Sequence, residues 1–77
     1  MRNKIYKIIG TKEKNYKGII FRIIYRWRIQ EKFYVKILKG NPATLKTGKF
    51  YMIPYEYVNE FCKELEKYKI NNSIRRI

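Results

Sequence analysis

Four stretches of this chain, residues 4–9 (KIYKII), 18–29 (GIIFRIIYRWRI), 32–38 (KFYVKIL) and 48–53 (GKFYMI), are built mostly from Ile, Tyr, Phe, Val and bases. β-Branched and aromatic side chains suit a pleated, half-buried surface, so each stretch predicts a strand. Turn signals separate them: Gly10 with the polar stretch TKEKN, then Gln30-Glu31, then Lys39-Gly40-Asn41-Pro42. In the third stretch Phe33, Val35 and Ile37 alternate with Tyr34 and Lys36, the period-2 mark of one dry and one wet face. Read the same way, the fourth stretch sets Phe50 and Met52 inside and Lys49 and Tyr51 outside. The second is long for a single strand, and is expected to bend strongly or break near Ile24.

Downstream the period changes. Pro54 suits a first helical position, Glu56 falls in the first turn, and Val58, Phe61, Leu65 and Tyr68 recur at 3-4-3 spacing. This pattern predicts a helix over 55–67, followed by a short basic tail, 69–77. With 77 residues there is room for one domain, placed at 1–68, which hides only about 60% of its unfolded surface. The fold class implied is mainly β with a C-terminal α-helix: a small SH3-like barrel or a coiled sheet of four to five strands, capped by one helix.

Charge constrains the partner. The chain carries 19 Lys+Arg against 6 Glu, a net of +13, yet 45% of it is hydrophobic, too much for a disordered basic arm. Such an excess repels itself when compact, and a polyanion relieves the repulsion. Four of the six acids, Glu56, Glu60, Glu64 and Glu66, lie between Pro54 and Tyr68, while the rest of the chain holds 17 bases against Glu13 and Glu31. The expected molecule is therefore electrically two-sided, with its acidic helix turned away from the polyanion. Asp and His are absent and Ser73 is the one serine, which removes most side chains used for general base catalysis, metal ligation and nucleophilic attack. A non-enzyme is expected, without metal or other cofactor. Cys62 is alone and forms no internal disulfide, fitting a reducing cytoplasm. No run of 18 apolar residues exists, so no membrane partner is expected.

The wet face is where function is expected. With Phe33, Val35 and Ile37 inside, the other side shows Lys32, Tyr34 and Lys36, joined by Lys49 and Tyr51, with Arg26, Trp27 and Arg28 just before. Cations neutralise phosphates while flat rings cover sugars or stack on bases. Trp27 is ambiguous because it sits between two arginines. Simple alternation turns it slightly inward, leaving both Arg on the basic surface.

From Trp27 onward the chain resembles the small crenarchaeal chromatin proteins, the seven-kilodalton DNA-binding family. The resemblance is carried by Trp27-Arg28-Ile29, the alternating Phe33/Val35/Ile37, Lys46-Thr47-Gly48-Lys49, and Glu64-Leu65-Glu66-Lys67. It implies an SH3-like barrel closed by a helix, with a sheet lying across duplex DNA. Trp27 and Ile29 would then face the DNA as contact and wedge, with Tyr34, Lys36, Lys49 and Tyr51 beside them. Lys32 stands where that family has a second apolar wedge, which puts deep kinking in doubt.

The expected function is sequence-tolerant binding of double-stranded DNA by a monomeric, cytoplasmic, nucleoid-associated protein. Gln30 is the one amide side chain on the expected face, so direct base readout is weak. An RNA-binding or ribosomal protein is the first alternative. A DNA-reading module of three strands and a helix, or a virus-encoded or regulatory module that binds another protein, are the others.

Overall fold

The third apolar-polar stretch becomes the central ladder of the sheet. A computed structural model describes residues 4–65 and contains strands β1 (Ile5–Ile8), β2 (Ile20–Trp27), β3 (Lys32–Lys39) and β4 (Phe50–Pro54). A short helix α1 (Tyr55–Phe61) and strand β5 (Cys62–Leu65) follow. All five strands join one antiparallel sheet in the order β4-β3-β2-β1-β5. Strands β1 to β4 form a meander, and the chain then crosses the inner side as α1 before β5 covers the free edge of β1. Among the described residues the protein is mainly β with one helix, which follows the last strand of the meander, as the sequence implies.

Phe21, Ile23, Phe33, Val35, Ile37, Ile53, Ile8, Ile19 and Val58 form the buried cluster on the inner side. Each fully buried side chain of this kind contributes about 1.5–3 kcal/mol against exposure. Val58 seats α1 on the cluster, and the Tyr55 ring lies 4.5 Å from that of Phe33.

Strand β2 runs unbroken to Trp27, but its ladder with β3 slips between Ile23 and Tyr25. The expected disturbance at Ile24 is present as a bulge, not a break. An extra residue in one strand turns every later side chain of that strand to the opposite face. Ile23 pairs with inward Val35, yet Tyr25 pairs with outward Tyr34, Arg26 with inward Phe33 and Trp27 with outward Lys32. Trp27 is therefore outside, 41% exposed, and the inward orientation favoured by simple alternation is corrected.

Two further expectations are corrected. The helix predicted over 55–67 ends at Phe61, and Cys62 is already extended (φ −118°, ψ 154°). The Phe61 carbonyl, free to continue the helix, instead accepts the N–H groups of Ile9 (2.8 Å) and Gly10 (2.9 Å). Gly10 permits this approach, since a Cβ there would stand 3.3 Å from Phe61 Cα. Residues 62–65 then satisfy the edge of β1, pairing Ile8 with Cys62 and Ile5 with Leu65. Seven residues make a marginal helix by themselves, so edge pairing decides where it stops. The proposed tail, 69–77, and the last expected helical positions lie outside the described residues.

The phase of β4 is also the reverse of the expected one. Tyr51 and Ile53 pair with inward Val35 and Phe33, while Phe50 and Met52 pair with outward Lys36 and Tyr34. The register is set upstream, where the Ile37 N–H donates to the Lys49 carbonyl and the Gly48 N–H, at φ 85°, to the Ile37 carbonyl. Tyr51 tolerates the inner side because its ring packs on the core while its Oη accepts the Lys46 N–H at 3.1 Å. No described helix is long and apolar enough to cross a membrane.

Candidate nucleic-acid interface

Residues directly opposite one another in an antiparallel pair project to the same face, so the register fixes what the outer face shows. One row crosses all five strands: Phe50, Lys36, Arg22, Ile5 and Leu65. Next to it on one side run Met52, Tyr34 and Tyr25, then Pro54, Lys32 and Trp27. On the other side runs the row Lys39, Ile20, Lys7 and Lys63, with Lys7 directly opposite Lys63. Among the described residues the face thus carries six cations and the rings of Tyr25, Trp27, Tyr34 and Phe50.

None of the acids among the described residues lies in these rows. Glu31 is in the β2–β3 turn, Glu13 in the β1–β2 connection, and Glu56 and Glu60 are exposed on α1 behind the sheet. Glu64 faces the inner side opposite Tyr6, where its Oε2 accepts from Lys4 Nζ at 3.1 Å. That is the one ion pair among the described residues. Two pairs of cations, Arg22/Lys36 and Lys7/Lys63, are consequently set side by side without a counter-charge, an arrangement that destabilises a sheet.

Local chemistry orders this face. Tyr34 and Phe50 stack with centroids 5.4 Å apart and planes 14° from parallel, and Lys36 Nζ lies 5.8 Å from the Phe50 centroid. Cation and ring thereby hold each other in position, at about 0.5–1 kcal/mol for an exposed pair. Arg22 Nε is shielded from solvent and has no hydrogen-bond acceptor. It is a donor in the middle of the face with its valence unfilled.

Of the residues expected at the site, Trp27, Lys32, Tyr34 and Lys36 come together on this face. Arg28 and Ile29 lie beyond it, in the turn that joins β2 to β3, where the Glu31 N–H donates to the Arg28 carbonyl and Glu31 adopts φ 54°. Arg26 is turned to the inner side opposite Phe33. Tyr51 is likewise inside, and Lys49 precedes β4 in the turn, so neither belongs to the face expected for them. The sequence reading missed Lys7, Arg22, Tyr25, Lys39, Phe50, Met52 and Lys63. Arg22 had a signal, because it lies between inward Phe21 and Ile23. The others depend on the bulge, the phase of β4 or the existence of β5.

Comparison with protein-family models, curated proteins and solved structures finds no match for this chain.

Proposed function

We propose that the outer sheet face binds nucleic acid, and in the first place double-stranded DNA, with little regard to sequence. The observation that carries this reading is the pair of side-by-side cations, Arg22/Lys36 and Lys7/Lys63, on a ring-bearing face without a carboxylate. Like charges placed directly opposite cost stability in the free protein. A line of phosphates turns the same arrangement into attraction and releases counterions. Trp27, Tyr25 and Tyr34, all exposed, offer flat apolar surface to sugars and base edges. Side chains capable of bidentate base recognition are few here, since Arg22 is the one guanidinium in the rows, so phosphate contacts dominate and sequence readout is weak.

Six face cations, Lys7, Arg22, Lys32, Lys36, Lys39 and Lys63, predict a log–log salt slope of about −5.5 on duplex DNA and about −4 on a single strand. Following Trp27 fluorescence while titrating duplex DNA, single strands and structured RNA at several salt concentrations tests this directly. Affinity that barely changes with salt refutes the reading. Binding confined to unpaired RNA moves it to the alternative in which these rings stack on splayed bases, an alternative favoured by the clustering of Tyr25, Trp27, Tyr34 and Phe50 at one end of the face.

A further inference from the structure

Charge and aromatic surface are not mixed on the outer face but sorted along the strands. The row of Lys39, Ile20, Lys7 and Lys63 and the row of Phe50, Lys36, Arg22, Ile5 and Leu65 hold five of the six face cations. The next two rows, Met52/Tyr34/Tyr25 and Pro54/Lys32/Trp27, hold a single cation and three of the four rings. The bulge at Ile24 makes this division, since it brings Tyr25 and Trp27 outside where alternation would have put Ile24 and Arg26.

The two halves also differ in width. Strands β1 and β5 extend the basic rows, so Lys39 and Lys63 lie across four strands, about 14 Å apart. Among the described residues the ring rows rest on β2, β3 and β4 alone, a width of about 10 Å. The rings there are open: Tyr25 is 56% exposed, Trp27 41% and Tyr34 38%. Tyr34 is braced on one side by its stack on Phe50, so little freedom is lost when a second ring covers its other side. Arg22 sits on the border, in the last basic row and next to Tyr25 across the bulge. Its shielded Nε has no acceptor among the described residues.

A continuous duplex supplies phosphates to the wide basic half, but its bases are stacked on one another and leave the ring half without a stacking partner. An isolated single strand supplies open base faces to the rings, but only one line of phosphates to the broad basic half. Resting on the reading that this face binds nucleic acid, we infer that its preferred substrate is a junction between duplex and single strand. The paired part lies on the rows of Lys39, Lys7, Lys63, Lys36 and Arg22, and the first two unpaired bases stack on Tyr25/Tyr34 and on Trp27. The phosphate at the branch point accepts from Arg22. Such a junction is recognised without sequence readout, because every base has a face that stacks.

Fluorescence anisotropy of labelled oligonucleotides, titrated with the full chain at several salt concentrations, tests this. The probes are a blunt duplex, the same duplex with a short thymidine tail on one or the other strand end, and the tailed strand alone. One of the tailed duplexes is expected to bind about tenfold or more tighter than the blunt duplex, and tighter than the single strand. Trp27→Thr and Tyr25→Thr each keep a strand-forming residue at an exposed position, with folding checked by circular dichroism. Each is expected to weaken the tailed duplex several-fold more than the blunt one, with the salt slope kept. Lys63→Gln is expected to lower the slope by about one on both duplexes and to keep the ratio between them. Equal affinity for blunt and tailed duplexes with a full salt slope overturns the junction and leaves duplex binding standing. A single strand that binds as tightly as the tailed duplex also overturns it, as does a Trp27→Thr variant that weakens every probe by one factor. Affinity that ignores salt on every probe removes the junction together with the reading it rests on.

Discussion

Replacing Lys63 by Glu separates what the outer face costs the free protein from what it gives a complex. Lys63 lies directly across from Lys7, with no carboxylate on that face. The substitution turns a repulsive cross-strand pair into an attractive one. Such pairs are each worth roughly 0.2–1 kcal/mol, and both partners are at least partly open to solvent, so screening keeps the total swing at about 0.5–1 kcal/mol. For 77 residues that corresponds to a melting temperature about 3–6 °C higher. Thermal melts followed by circular dichroism in low salt measure it, and the gain should shrink as salt is added. The same change removes a phosphate contact, so the duplex salt slope should fall from about −5.5 to about −4.5. A variant that melts below the parent in low salt, or whose gain ignores salt, refutes the claim that these two lysines strain the sheet.

Other perturbations probe the fold beneath the face. Burial pushes the Cys62 thiol up from 9.0 to about 12, and burial is also the main cause raising the Tyr6 and Tyr57 hydroxyls. All three are held neutral in the folded state, so their contribution to stability is complete below pH 9 and is lost as pH climbs from 9 toward 12. Urea midpoints should decline across that window, less steeply in Cys62→Ala, and alkylation of the native thiol at pH 8 should be far slower than in urea. Gly40→Ala should cost about 1–3 kcal/mol in urea unfolding, because a Cβ there overlaps the Leu45 carbonyl oxygen and stands 2.7 Å from Ile37 Cγ2. Gly48→Ala meets nothing within 4 Å and should lose only the backbone cost of its φ of 85°, about 1 kcal/mol.

The four strands of the meander were legible because their apolar residues alternate or run together between turns marked by Gly and Asn or, at Gln30-Glu31, by polar side chains. Strand β3, where Phe33, Val35 and Ile37 alternate with Tyr34 and Lys36, also declared its faces. Strand β4 did not, since Phe50, Tyr51, Met52 and Ile53 are all apolar or amphipathic and period 2 has no phase to read. Strand β5 was hidden for a different reason. Cys62-Lys63-Glu64-Leu65 continues a helical stripe equally well, and what selects the strand is the unsatisfied edge of β1, a partner over fifty residues away. At the site, Lys32, Tyr34 and Lys36 followed from β3 alone. Trp27 and Tyr25 did not, because alternation along β2 is interrupted at Ile24 in a way that only the pairing with β3 reveals.

That irregularity at Ile24 amounts to a single unit of sequence length standing between two different molecules. Were it drawn into regular pairing instead of bulging, the indole and the neighbouring phenol would swing toward the hydrophobic interior while a guanidinium took their place outside. What the sheet offers to its surroundings is thus encoded less by which amino acids were chosen than by how many were counted before the hairpin closes.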